Sequence, residues 1–109
     1  MSEIDPYAIA KRLLSFSDDY ADKKAAADLL AEMKKPKLYT LASECNEASA
    51  AAKEQFAYRH PDYQTYITDM VEAERLSNRA KGKLEAERVR IELLRTQSAN
   101  ERHINKVMP

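Results

Sequence analysis

The stretch DYQTYITDMVEAERLSNRAKGKLEAERVRIELLRTQSANERHI, Asp62 to Ile104, contains no proline and a single glycine, Gly82. As one uninterrupted helix it is about 64 Å long at about 1.5 Å per residue. A chain of 109 residues cannot enclose such a rod in a compact domain, so the remaining segments are expected to lie along it. The stretch carries a near-heptad seam: Tyr63, Tyr66, Met70, Ala73, Ser77, Ala80, Leu84, Glu87, Ile91, Leu94 and Ser98. Alternating spacings of three and four mark a coiled-coil-like face rather than a broad globular one.

Immediately upstream, His60-Pro61-Asp62 is a turn signal with capping groups for the next helix. Before it, Leu38, Leu41, Cys45, Ala48, Ala52 and Phe56 keep helical spacing, which predicts a helix ending near Tyr58. Pro36 lacks a backbone donor and biases Lys35 away from helical angles, so a stop or kink is expected there. From Asp18 to Lys35, Tyr20, Ala27, Leu30 and Lys34 share one side of a helix, with Ala26, Leu29 and Met33 beside it. Asp5-Pro6 opens the first helix, Asp as N-cap and Pro at the first helical position. Ile9, Leu13 and Phe16 form a stripe that predicts a short N-terminal helix, and Ser17-Asp18-Asp19 then supplies a fresh cap with two acids in the first turn. A continuous helix is the alternative. Residues Asn105 to Pro109 are expected to fray.

These segments predict an all-α chain, residues 1–109, forming one helical domain. Its expected architecture is a long antiparallel helical hairpin, the first arm broken or kinked at Pro36 and the second arm Asp62–Ile104, with a short N-terminal helix at the open end. A tight turn at His60-Pro61 places Phe56 opposite Tyr66, Ala52 opposite Met70, Ala48 opposite Ala73 and Cys45 opposite Ser77. The same register sets Leu41 against Ala80, Leu38 against Leu84, Leu30 against Ile91 and Ala27 against Leu94. Small residues on both facing stripes favour close approach of the arms. A three-helix bundle is the rival arrangement. Leu14, Leu29, Met33, Val71, Leu76, Val89 and Leu93 lie off the seam. Two helices alone bury too little apolar surface to offset chain entropy, so a homo-oligomeric bundle formed through these residues is expected.

Composition excludes several classes. Lys+Arg and Asp+Glu balance at 18 each, which argues against a nucleic-acid coat and equally against an acidic DNA mimic. A third of the residues are charged and glycine is almost absent, as in long-helix proteins. Cys45 is the sole cysteine, so no internal disulfide forms and a reducing, cytoplasmic compartment is expected. The first residues lack the pattern of a secretory signal, and the apolar runs fall short of the ~20 residues a membrane span requires. A soluble protein without a membrane partner is the expectation.

In that hairpin Lys34, Lys35 and Lys37 lie opposite Arg79, Lys81, Lys83 and Arg88, and Gly82 faces the neighbourhood of Tyr39, where the kink also falls. From Arg75 to Lys106 there are nine Lys/Arg against four Asp/Glu. Such a girdle could hold a phosphate backbone with strongly salt-dependent affinity. The plainer reading is a solvated helix face with Glu85–Arg88 and Arg88–Glu92 as intrahelical pairs. Phe56, Tyr58, Tyr63 and Tyr66 crowd the hairpin tip, where aromatics stack bases, anchor a partner or, most commonly, seal the end of a bundle. His60 and His103 are far apart and lack a second ligand at metal-binding spacing, and Cys45 falls on the small-residue seam, where it packs. No positioned nucleophile and base emerge. Neither a metal, a cofactor nor enzymatic activity is expected.

The blocks LSFSDDYADKKA (Leu14–Ala25), KPKLYTL (Lys35–Leu41), AER (Ala73–Arg75) and LEAERVRIELLRTQSA (Leu84–Ala99) carry a resemblance, of which Arg90–Gln97 is the most specific piece. The chain resembles small all-helical bacteriophage and prophage proteins of unknown activity, often encoded beside genes for single-strand annealing recombinases and exonucleases. The resemblance covers most of the chain and brings no functional residues with it. It implies phage origin, the host cytoplasm and an accessory role in phage DNA metabolism. The leading expectation is a non-enzymatic assembly module contacting a phage recombination or replication protein, or its DNA. An inhibitor of a host nuclease or defence complex is the alternative, and a virion assembly factor the third.

Overall fold

A computed structural model of the chain describes residues 5–107, whose regular structure is entirely α-helical. Four helical segments follow in order: α1 Pro6–Glu32, α2 Lys34–Ala42, α3 Ala50–Arg59 and α4 Pro61–Val107. Contacts divide the chain into two compact units. Unit 1 takes the chain up to Ala21 and from Arg79 onward, and unit 2 is Asp22–Asn78.

The start of α1 is set by Asp5, whose Oδ1 accepts the Tyr7 amide at 3.0 Å while its carbonyl accepts that of Ile9 at 3.1 Å. The helix then continues to Glu32 without the bend expected at Ser17-Asp18-Asp19. Cap residues are a weak prior against good helix formers on both sides, and no Pro or Gly interrupts the run. Phe16, Ser17 and Tyr20 are half-buried, so packing holds that face helical through the polar triplet.

The expected kink near Pro36 is present, centred on Met33 at φ −84° and ψ 0°. A proline ring presses on the carbonyl four residues earlier, here that of Glu32, so the distortion falls before the proline itself. Hydrogen bonding passes through the kink: the Met33 amide donates to Leu29 and the Lys37 amide to Met33, both at 3.0 Å. The heptad frame passes through as well. Ile9, Leu13, Phe16, Tyr20 and Lys23, then Ala27, Leu30, Lys34, Lys37 and Leu41, keep the spacing and are all buried or half-buried.

The helix expected to run unbroken from Leu38 to Tyr58 is instead interrupted over residues 43–49. The Ser43 hydroxyl donates to the Thr40 carbonyl at 2.6 Å, and the Glu44 and Cys45 amides tighten to three-residue bonds with Leu41 and Ala42. Ser49 then caps α3, its Oγ accepting the Ala52 amide at 3.4 Å. Hydroxyl and amide side chains compete with the helical ladder in this way without needing Gly or Pro.

That interruption changes the register. In unit 2, α3 packs against α2, and Leu41, Ala57 and Tyr63 form a core with Leu38, Ala42 and Ile67 against it. Leu41 meets Ala57 and Tyr63. Leu30 meets Tyr66, whose hydroxyl donates to its carbonyl. Cys45 and Ala48 lie in the connection instead of on a small-residue stripe. In unit 1 the buried residues are Ala80, Leu84 and Glu87, and Arg12 of α1 meets Glu87 of α4.

Along α4 every residue of the expected seam, Tyr63 to Ser98, is buried or half-buried, and Glu101 continues it. The helix passes through Gly82 without interruption, as expected for one continuous arm. A Cβ built on Gly82 meets nothing within 4 Å. Gly82→Ala is accordingly expected to raise stability by about 1 kcal/mol, through helix propensity and a less flexible unfolded chain. Chemical denaturation followed by circular dichroism checks this.

Candidate interaction surfaces

The cations expected to form one girdle belong to two units. Lys34 and Lys37 occupy seam positions of unit 2 and are half-buried, while Lys35 is exposed. Arg79, Lys81, Lys83 and Arg88 are exposed on the part of α4 belonging to unit 1. Leu30 lies beside Tyr66 in one unit, and Arg12 beside Glu87 in the other. The intrahelical pairs formed on α4 are Glu72–Arg75 at 2.7 Å, Glu87–Arg90 at 2.6 Å and Glu92–Arg95 at 3.0 Å. All three are three residues apart, where Glu85–Arg88 and Arg88–Glu92 had been expected. The Arg75 hydrogen bond lowers the Glu72 carboxyl pKa, and the same contact raises that of the guanidinium.

The four aromatics expected at the tip all belong to unit 2, in two roles. Tyr63 is buried in the core and Tyr66 ties α4 to Leu30. Tyr58 meets Tyr63 edge-on, centroids 5.3 Å apart, and Phe56 meets His60 similarly at 5.8 Å, yet both keep much of their rings exposed. One of the four thus lies in the core, one ties two helices together, and two remain available at the surface.

His60 joins three elements. Its Nδ1 accepts the Asp62 amide at 3.0 Å, taking the place of a side-chain oxygen as N-cap of α4. With Nδ1 accepting, Nε2 carries the proton toward Glu44 Oε2 at 3.1 Å, anchoring the α2–α3 connection. The cap was legible from His60-Pro61-Asp62, but Glu44 was not, because it arrives only through the unforeseen connection. Among the described residues no cluster of three or more His, Cys, Asp or Glu side chains could hold a metal ion.

Glu87 is the most unusual polar residue: it occupies a seam position and is only 4% exposed. Arg90 grips both carboxylate oxygens, and Arg12 Nε lies 3.1 Å from Oε2. The Arg90 hydrogen bond, with Arg12 adding to it, holds the carboxyl below its ordinary value against the opposing effect of burial. Heptad spacing placed Glu87 on the seam, but nothing in the sequence pointed to Arg12 as its partner.

The off-seam apolar residues are exposed. Leu14, Val89 and Leu93 stand on the surface of unit 1, and Leu29, Met33 and Val71 on that of unit 2, while Leu76 is half-buried. No helix of the described residues is long and apolar enough to cross a membrane. Fold and surfaces together define an all-α chain built on heptad seams. No family model, curated protein or solved structure matches it.

Proposed function

We propose that this chain is a non-enzymatic, self-assembling helical interaction module that serves phage DNA recombination or replication through contacts with protein. One observation carries the assembly: among the described residues five apolar side chains are buried, while twelve large ones are exposed. Among those residues Leu41 is the only large side chain below 2% exposure, a core too thin for a chain of this length. A second copy covering Leu14, Val89 and Leu93, or Leu29, Met33 and Val71, supplies the missing burial. The phage setting rests on the sequence blocks described above, and the exposed large apolar side chains favour protein over DNA as the contact.

Light scattering at micromolar concentration is expected to give a multiple of the 12.5 kDa chain mass. Leu29→Glu and Leu93→Glu, one in each unit, are expected to shift that mass toward the monomer while helicity persists. A monomeric mass for the parent chain overturns the assembly. For the setting, a recombinase gene beside the coding sequence is expected, and a capsid or tail operon around it defeats the recombination role.

A further inference from the structure

We propose that the groove between α2 and α3 in unit 2 is a docking site for an acidic, amphipathic helical segment of another protein. Its floor is apolar and built from one leucine and three alanines. Leu38 and Ala42 on one helix and Ala50 and Ala57 on the other leave an open volume of about 460 Å³. That lies within the range of established binding sites, and α2, nine residues and about 13 Å long, matches two turns of a partner helix.

The walls are of the type that dominates binding energy. Tyr39 is 72% exposed, so a large ring stands at the edge of an apolar trough, facing water. Tyr58 stands on the opposite wall, its ring fixed against Tyr63, so little side-chain freedom is lost when a partner covers it.

Charge selects the occupant. Lys35 and Lys53 flank the groove, neither forming an ion pair among the described residues, against the single carboxylate of Glu54. A helix that lays leucine-sized side chains into the floor and carries carboxylates beside them pairs with both lysines as the apolar stripe is buried. Single-stranded nucleic acid fits less well. The floor is aliphatic, Glu54 repels phosphate, and the lysine pair is too short a track for a phosphate backbone. This inference names a partner chemistry for the interaction module proposed above but is independent of its self-assembly, which light scattering reads separately.

Fluorescence anisotropy with three labelled probes tests it. These are a helical peptide with leucines at i, i+3, i+4 and i+7 flanked by glutamates, the same peptide with lysines for glutamates, and an oligothymidylate. The glutamate peptide is expected to bind at least about tenfold more tightly than either other probe. Tyr39→Ala is expected to weaken it about tenfold. The double variant Lys35→Glu/Lys53→Glu is expected to reverse the preference toward the lysine peptide. Tyr39 and Lys35 are exposed and Lys53 is half-buried, and an unchanged circular dichroism spectrum verifies the fold of each variant. Equal affinity for both peptides, no binding of the glutamate peptide, indifference to Tyr39→Ala or preference for oligothymidylate each overturn the proposal.

Discussion

Leu41→Ala is expected to lower the stability of the chain by about 3 kcal/mol. Leu41 is 1% exposed and stands where α2, α3 and the start of α4 meet, against Ala57 and Tyr63. Truncation removes buried methyl groups and leaves a void that Ala57 cannot fill and that the Tyr63 ring, set against Tyr58, does not readily close. The loss of transfer free energy and the residual cavity therefore add. A melting temperature lower by roughly 10–20 °C follows for a domain of this size. Tyr7→Ala, at an exposed site, is the control and is expected to change stability by no more than about 0.5 kcal/mol. Equal effects of the two substitutions would show that α2, α3 and α4 do not share a core.

Two substitutions at Glu87 are expected to have opposite signs. Glu87→Ala removes the carboxylate that Arg12 and Arg90 share and leaves a gap in the seam. Because those arginine side chains are 57% and 45% exposed, water takes over their hydrogen bonds, and the cost is held to about 1–3 kcal/mol. Glu87→Leu places an apolar side chain at a seam position and abolishes the desolvation of a buried carboxylate. It is expected to match or exceed the parent in stability by about 1–4 kcal/mol.

The pH dependence separates these effects from simple packing. The folded chain holds the Glu87 pKa below its ordinary value of 4.5, so the contribution of this carboxylate is complete above that pH. It is lost as pH falls through the lowered folded-state value. On acidification below about pH 4.5 the gap between parent and Glu87→Ala therefore narrows, while the advantage of Glu87→Leu over the parent widens. Thermal melts of the three chains from neutral to acidic pH measure both trends. Gaps that stay constant with pH would mean that the carboxylate is not held by its arginines.

The elements legible in the sequence share one property: their causes are local. Asp5-Pro6 and His60-Pro61 start helices because each supplies an acceptor for the first turn and a proline whose missing donor costs nothing there. Pro36 produces its kink because it cannot bond to Glu32. The seam from Tyr63 to Ser98 is buried as its spacing predicts. Ser17-Asp18-Asp19 misled for the complementary reason, a local cap signal overridden by packing on Phe16 and Tyr20.

The candidate surfaces were legible only in part. The exposed leucines and valines followed from being off the seam, whereas the cationic girdle depended on a register that the sequence does not specify. Heptad positions repeat, so sliding one helix along another by whole heptads restores an equivalent a/d pattern. By itself, then, the amino-acid sequence determined that this protein is helical, where α1 and α4 begin, and which face α4 buries. Only the tertiary structure decided that residues 43–49 leave the helix, that Leu41 meets Tyr63, that Glu44 reaches His60 and that Arg12 reaches Glu87. Those choices are settled by side chains distant in sequence competing for the same burial, and a periodic pattern holds no record of that competition.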